Sequence, residues 1–279
     1  EPRQLGWALA RKGRVLRILR QDQESLRYYD EALRLRPEFG WAWYSKAIAH
    51  ERMRDYEQAL QDYTKAALYS PRDVWPVYNH AWLLLQLGRA EDALTKIDEA
   101  IRINPAHPHS LTQRAWDLAE LGRYEEAIAG FEKAIEADAK FGAAWTGKGR
   151  VLLRIGQVAE AENVLIAATR LAPRDDAAWM ALSDVYSQQA RYSEALTAAQ
   201  QAALIKPHYK SVQQRVGELL LRLRRYAEAL EVFDRVLGSH PDHPPALSGR
   251  GVALLNLSQV DEAVASLQQA LSLAPDRAP

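Results

Sequence analysis

The feature that most constrains the fold of this chain is a proline that recurs every 34 residues. The prolines on this spacing are Pro37, Pro71, Pro105, Pro173, Pro207, Pro241 and Pro275, and Ala139 stands at the one remaining point. Counted from Gly6, the 279-residue sequence divides into eight consecutive units of 34 residues that end at Arg277. Because the units follow one another without insertion, the sequence predicts an array of one repeated structural element.

Three further positions of the unit carry small residues almost without exception. Position eight is Gly13, Ala47, Ala81, Ala115, Gly149, Ser183, Gly217 and Gly251. Position twenty is Ser25, Ala59, Ala93, Ala127, Ala161, Ala195, Ala229 and Ala263. Position twenty-seven is Ala32, Ala66, Ala100, Ala134, Ala168, Ala202, Val236 and Ala270. Small side chains let two helix backbones approach closely, and alanine does this without the helix penalty of glycine.

The hydrophobic pattern inside each unit predicts two short amphipathic helices. Apolar or small residues recur at positions four, seven, eight and eleven, and again at positions twenty, twenty-four, twenty-seven and twenty-eight. This spacing places them on one stripe of a helix. Gly88, Gly122 and Gly156 predict where first helices end, and the proline at position thirty-two predicts the end of the second. No segment alternates with a period of two, so we expect essentially no β-strand.

The residue pattern of the unit identifies a family. In the second unit the pattern is carried by Trp43, Lys46, Ala47, His50, Ala59, Tyr63, Ala66 and Pro71. In the fifth unit it is carried by Trp145, Gly149, Ala161, Ala168 and Pro173. This 34-residue helix–turn–helix unit resembles the tetratricopeptide repeat, and the resemblance covers nearly the whole chain. The repeats are 6–39, 40–73, 74–107, 108–141, 142–175, 176–209, 210–243 and 244–277.

The resemblance implies an all-α fold, a right-handed α-solenoid superhelix of stacked helix–turn–helix units. The first helix of each pair would line a concave groove, and stacking between neighbours would replace a single central core. We therefore expect residues 1–279 to form one domain without an internal boundary. The first unit departs most from the family pattern, because Lys12, Asp22 and Ser25 occupy positions that are usually apolar or alanine. A polar first repeat is typical of an end cap.

The last unit lacks a capping helix after it. Its second helix keeps residues of internal type, namely Val260, Ala263, Val264, Leu267 and Leu271. Burying such a side chain contributes about 1.5–3 kcal/mol, so we expect this face to be covered. Either a longer native chain continues the stack of repeats, which we favour, or the chain self-associates or binds a partner through this uncapped end.

Composition excludes several classes of protein. The sequence contains 36 Lys and Arg against 36 Asp and Glu, whereas a general nucleic-acid binder needs a net basic surface. Apolar runs such as Trp82–Leu85 are far shorter than the roughly 18 residues of a membrane helix, so we expect no membrane insertion. The absence of cysteine excludes disulfides and thiol catalysis. It leaves the compartment open, with the cytoplasm favoured.

No catalytic constellation is visible in the sequence. The seven histidines are scattered, and the one tight pair, His107 and His109, is interpreted as ordinary loop residues rather than as a metal site. The segment Gly147-Lys148-Gly149 lacks the third glycine of a phosphate-binding loop, since Leu152 stands there. We therefore expect no enzyme activity, no cofactor and no metal site.

The candidate ligand site is a group of aromatic residues in the first four units. They occupy positions two, five and nine of the first helices, which lie together on a different side from the core positions. These residues are Trp7, Trp41 and Trp75, then Tyr44 and Tyr78, then Trp82 and Trp116. They either pack between neighbouring first helices or form a binding groove. A packing requirement should recur in every repeat, so their restriction to one half of the chain favours the groove.

Polar and basic residues accompany the aromatic group. Asn79, His109 and Gln113 lie in the same stretch, and amide side chains can both donate to and accept from a ligand. Arg14 and Arg150 stand at position nine, where a guanidinium could bind carboxylates or phosphates of a ligand.

The sequence favours a non-enzymatic scaffold that binds a protein partner. Its ligand would be an extended peptide segment, proline-rich or aromatic and acidic, because tryptophan and tyrosine faces suit polyproline II helices. A second interpretation is a carbohydrate-binding scaffold of polysaccharide export, since indole faces also stack on sugar rings. A third is that the chain is the scaffold region of a larger enzyme.

Overall fold

The computed structural model describes residues 2–273. Over that range the backbone forms sixteen α-helices and no β-strand, which confirms the predicted all-α fold. Each repeat contributes one helix pair, so the odd-numbered helices are the first helices and the even-numbered ones the second. Pro275 and the end of the last repeat, residues 274–277, lie outside the described residues.

The chain divides into two compact units, Glu1–Asp138 and Ala139–Pro279. The first unit contains α1 (Pro2–Ile18), α2 (Asp22–Leu35), α3 (Gly40–Arg52), α4 (Tyr56–Tyr69), α5 (Val74–Gln86), α6 (Ala90–Ile103), α7 (Pro108–Glu120) and α8 (Tyr124–Ala137). The second unit contains α9 (Gly142–Arg154), α10 (Val158–Leu171), α11 (Asp176–Gln188), α12 (Tyr192–Ile205), α13 (Lys210–Arg222), α14 (Tyr226–Ser239), α15 (Pro244–Asn256) and α16 (Val260–Leu273). That residues 1–279 form a single domain stays a prediction.

Stacking of consecutive helices builds each unit. Within each unit, every helix packs against the next one along the chain, so a second helix that is followed by another pair in the same unit contacts both its own first helix and the first helix of that pair. The small residues at positions eight, twenty and twenty-seven are buried in all eight repeats. A Cβ atom added to Gly217 would lie 2.6 Å from the Phe233 ring, which shows why position eight is small. The predicted stacking of helix pairs is therefore confirmed within each unit.

A side-chain hydrogen bond joins many of the pairs at their ends. The residue at position four donates to the backbone carbonyl six residues earlier, where the preceding helix has just ended. The donor–acceptor pairs are Trp43 with Pro37 (2.7 Å), Trp145 with Ala139 (3.0 Å), Trp179 with Pro173 (3.0 Å) and Gln213 with Pro207 (2.9 Å). These three indoles thus have a structural role, as their core position predicts.

The outermost helices of the described chain retain exposed apolar side chains. On α1 they are Leu5, Val15 and Ile18, with Leu19 directly after the helix, and on α16 they are Val260, Val264 and Leu271. The polar character of the first repeat lies partly inside, because Ser25 is fully buried and its hydroxyl donates to the Asp22 carbonyl. Coverage of the α16 face by a second copy or by continuing repeats stays a prediction.

Candidate functional site

The starts of the first helices position the aromatic side chains. Helix α5 is capped by Asp73, whose carboxylate accepts from the Trp75 amide at 3.1 Å. Helix α7 is capped by His107, whose Nδ1 accepts from the Ser110 amide at 3.3 Å. The residue at position two is the second residue of these helices, which is Trp75 in α5 and His109 in α7. The caps therefore fix the backbone that carries these two rings.

Three indoles of the first unit are strongly exposed. Trp7 is 41% exposed, Trp75 is 40% exposed and Trp82 is 45% exposed. Trp75 and Trp82 lie two turns apart on the same side of α5, because seven residues return a helix to nearly the same angle. We call these residues, together with the half-buried members of the sequence-predicted group, the aromatic face. It consists of Trp7, Trp41, Tyr44, Trp75, Tyr78, Trp82 and Trp116.

At its amino-terminal end the aromatic face is a stack of rings. The rings of Trp7 on α1 and Trp41 on α3 are nearly parallel, with centroids 5.7 Å apart. Phe39, just before α3, lies 5.4 Å from Trp7 and 5.7 Å from Trp41. The stack therefore bridges two successive first helices. Phe39 was not predicted as part of the site, although an aromatic residue two positions before Trp41 is a signal that could have found it.

Four rings meet edge to face where α5 approaches α7. Trp75 lies 5.9 Å from Tyr78, 4.9 Å from His107 and 5.1 Å from His109, measured between ring centroids. The predicted site residue His109 thus packs on the aromatic face, and so does His107, which the sequence analysis interpreted only as a loop residue. Burial lowers the pKa of His107 to about 4, helped by its neighbour His109, and burial also lowers the pKa of His109. Both imidazoles are consequently neutral near pH 7.

The predicted amide groups already form hydrogen bonds inside the unit. The Asn79 amide on α5 donates to the Tyr44 hydroxyl on α3 at 2.9 Å. Burial, and then the charge of Asp73, raise the pKa of Tyr44 to about 12, so its hydroxyl stays protonated. The Gln113 amide donates to the Asp117 carboxylate one turn later, at 3.0 Å. Asn79 therefore fixes the spacing of two first helices, and one donor of each amide is occupied.

The remaining predicted residues differ in their placement. Trp116 is half-buried and packs edge to face on the buried Phe131 ring of α8, with centroids 5.2 Å apart. Arg14 is exposed on α1. Arg150 belongs to the second unit, where it lines a cavity of about 540 Å³ together with Arg154, Asp184 and Tyr209. The structure thus gathers the aromatic residues of α1, α3, α5 and α7 in one unit, and Arg150 lies in the other.

The aromatic face combines packing contacts with exposed rings. The contacts of Trp7 with Trp41, of Tyr44 with Asn79 and of Tyr78 with His109 pack neighbouring first helices together. The same surface leaves Trp75 and Trp82 widely exposed. Contacts with neighbouring rings hold Trp75 in a fixed orientation, which suits stacking on a ligand.

Two other kinds of feature are absent from residues 2–273. Residues 2–273 contain no group of three or more His, Asp or Glu side chains with the geometry of a metal site. No helix in that part of the chain is long and apolar enough to cross a lipid bilayer.

Three solved structures with the same fold match different lengths of this chain. YrrB, described as a TPR protein with an unusual peptide-binding site, is 24% identical, covers 65% of this chain and 93% of its own, and superimposes with a TM-score of 0.57. MamA from Desulfovibrio magneticus RS-1 is 29% identical over 59% of this chain and 93% of its own, with a TM-score of 0.50. The anaphase-promoting complex assembly Cut9–Hcn1 is 14% identical over 96% of this chain and 53% of its own, with a TM-score of 0.67. None of the curated protein sequences matches this chain.

Sequence profiles of one family match along almost the whole chain. A profile described as tetratricopeptide repeat matches residues 11–73, 44–108, 78–140 and 217–278. Two further profiles with the same description match residues 118–185 and 176–209. These matches agree with the helix pairs, the small interface positions and the 34-residue spacing. The chain belongs to the tetratricopeptide repeat family.

Proposed function

We propose that this protein is a non-enzymatic interaction scaffold that binds an extended peptide segment of a partner protein across the aromatic face. The segment is proline-rich or aromatic in composition. The scaffold fold itself is shared with the solved tetratricopeptide repeat structures, and one of them belongs to a protein described by its peptide-binding site.

The observation that carries the proposal is the exposure of Trp75 and Trp82 on one side of α5. An exposed indole leaves a large apolar area in water, and tryptophan is the residue most enriched where binding energy concentrates. The two rings lie about 10 Å apart along the helix axis, because seven residues each rise about 1.5 Å. This separation matches about one turn of a polyproline II helix, whose three residues rise about 3.1 Å each.

The surroundings of the two indoles fit a peptide better than a charged ligand. Helix α5 contains no Lys, Arg, Asp or Glu, so its surface offers ring faces and a few hydrogen-bonding groups. Polyproline II segments are recognised in this way, since they are ordered before they bind and present apolar ridges to aromatic rings.

Selection of phage-displayed random peptides on the full chain tests the proposal. Peptides that are enriched are synthesised and their affinities are measured by fluorescence anisotropy. The Trp75→Ala/Trp82→Ala variant should bind them at least about tenfold more weakly, because truncation of a central aromatic residue typically costs that much affinity.

A matched control separates this effect from general loss of exposed apolar surface. Leu68 and Tyr69 on α4 are 69% and 41% exposed, and Leu68→Ala/Tyr69→Ala should leave the affinity unchanged. Because Trp75 also packs on neighbouring rings, circular dichroism must show unchanged helicity, and the single variant Trp82→Ala repeats the test at a residue without ring contacts in the described chain. Equal binding by the chain and its tryptophan variants contradicts the proposal, as does failure to enrich any peptide.

A further inference from the structure

A cavity of about 640 Å³ adjoins the amino-terminal end of the aromatic face. It lies on α1 and the end of α2, entirely within the first unit. We call it the arginine pocket, and its lining residues are Arg3, Gln4, Trp7, Ala8, Arg11 and Arg36. Three guanidinium groups and no carboxylate therefore line this cavity among the residues that the structure describes.

The three arginines of the pocket differ from many other arginines of the protein in their contacts. Arg123 and Arg225 each bind a glutamate three residues later through two hydrogen bonds. Within residues 2–273, Arg3, Arg11 and Arg36 form no such ion pair. Within the described part of the chain, no ion pair therefore neutralises these three guanidinium groups.

Aromatic rings hold two of these guanidinium groups in place. The Arg11 guanidinium lies over the Trp7 ring, 4.9 Å from its centroid, and the Arg36 guanidinium lies over the Phe39 ring at 4.6 Å. A guanidinium stacked on a ring keeps its N–H donors free at the edge, where they can bind a carboxylate with two parallel hydrogen bonds. Arg11 and Arg36 therefore present ordered donors to the pocket rather than freely moving side chains.

The electrostatic setting strengthens this attraction. Helix α1 carries Arg3, Arg11, Lys12, Arg14 and Arg17, and it contains no acidic residue. The whole chain is neutral, so this end is a local concentration of positive charge. Clustered charge of one sign raises the local concentration of the opposite charge and speeds association.

Trp7 links the pocket to the proposed peptide site. It lines the cavity, and its ring also stacks on Trp41 of the aromatic face. We propose that the arginine pocket binds the side-chain carboxylates of an acidic stretch in the same peptide that the aromatic face binds. This inference rests on the proposed function and adds to it a ligand polarity, with the acidic end of the peptide lying against α1.

Peptides selected by display on the full chain, synthesised with a C-terminal amide, test the inference. Each acidic peptide is paired with a neutral probe in which every Asp is Asn and every Glu is Gln. The Arg11→Gln/Arg36→Gln variant should bind the acidic probe at least about tenfold more weakly than the original chain does. Its affinity for the neutral probe should stay within about twofold. The charge-matched control is Arg27→Gln/Arg34→Gln, which removes two exposed arginines of α2 that do not line the cavity.

Each outcome decides between the two proposals. Selective loss of the acidic probe in the pocket variant, with little change in the control variant, supports the arginine pocket. Enrichment of peptides without acidic residues, equal loss of both probes, or equal loss in the control variant overturns the inference while the neutral probe still reports on the aromatic face. Failure to select any peptide overturns the proposed function and the inference with it.

Discussion

Position fifteen of each repeat, where a first helix ends, adopts a left-handed backbone in all eight repeats. Glycine occupies it at Gly88, Gly122 and Gly156, with φ between 75° and 81°. The five other residues have φ between 58° and 65°, and they are Arg20, Arg54, Ala190, Arg224 and Ser258. A side chain with a Cβ atom is disfavoured in this region by about 1–2 kcal/mol, so five repeats contain local strain that three avoid.

Glycine at one of these strained positions should stabilise the protein. Ala190 is exposed, so Ala190→Gly removes the Cβ clash without creating a cavity. We expect the free energy of unfolding to rise by up to about 1 kcal/mol, since the greater freedom of glycine in the unfolded chain offsets part of the gain. Urea denaturation followed by circular dichroism measures the change.

A control defines what result would be inconsistent with this account. Ala129 is exposed inside helix α8, where φ is helical, and Ala129→Gly should lower the free energy of unfolding by about 1 kcal/mol. If both substitutions destabilise the protein equally, the backbone at position fifteen is not strained.

At the residue scale, the sequence predicted which aromatic side chains lie on the same side of a helix, because the spacing of residues along a helix determines their side. It could not predict that the Asn79 amide binds the Tyr44 hydroxyl or that the Arg36 guanidinium lies over Phe39. Asn79 and Tyr44 lie 35 residues apart, and the rotamers of such side chains depend on the packing of neighbouring repeats rather than on local pattern.

Among the described helices, α5, α7, α11 and α15 begin with a side-chain cap. Aspartate caps α5 and α11 through Asp73 and Asp175, whereas histidine caps α7 and α15 through His107 and His243. In the histidine caps the neutral imidazole accepts a backbone N–H through Nδ1, and a proline follows at the first helical position. Protonation of Nδ1 would remove the acceptor, so a histidine cap is sensitive to acid in a way that an aspartate cap is not at the same pH.

The His107 cap predicts a loss of stability in mild acid. Its pKa is lowered from 6.5 to about 4 in the folded chain, so between these values the unfolded chain binds a proton that the folded chain does not. The contribution of neutral His107 to the free energy of unfolding is therefore complete above pH 6.5. It is lost as the pH falls toward 4, at up to about 1.4 kcal/mol per pH unit.

His107→Asn isolates this effect, because asparagine also caps helices but does not titrate. Between pH 6.5 and 5 the midpoint of urea denaturation should fall less steeply in the variant than in the original chain. His80, whose pKa burial also lowers to about 4, retains its own share of the pH dependence in both proteins. An identical slope would show that the His107 cap is not protonated on unfolding.

At the element scale, the 34-residue spacing predicted the helix bounds and their pairing, because the two helices of every repeat pack through the same positions. Gly217 illustrates this, since the sequence shows only that position eight is small, and the structure shows a Phe233 ring in the space that a larger side chain would need. The prediction that glycine ends the first helices was correct at three repeats but incomplete, because non-glycine residues adopt the same backbone elsewhere.

At the scale of the whole molecule, the two compact units have different first-helix surfaces. The first unit presents the aromatic face, while a cavity of the second is lined by charged residues such as Arg150, Asp176 and Asp184. In a repeat protein, the residues that recur in every repeat stabilise the stack, and the surface residues that differ between repeats can serve recognition. We therefore propose that the peptide site lies in the first unit alone.

Hydroxyl-radical footprinting of the full chain, with and without a selected peptide, tests this placement most directly. Tryptophan side chains report on their own exposure, and mass spectrometry locates each oxidised residue. We predict that the peptide reduces oxidation of Trp75 and Trp82 and leaves Trp145 and Trp179 in the second unit unchanged. Unchanged oxidation of Trp75 and Trp82 under saturating peptide, or protection confined to the second unit, would contradict the central claim.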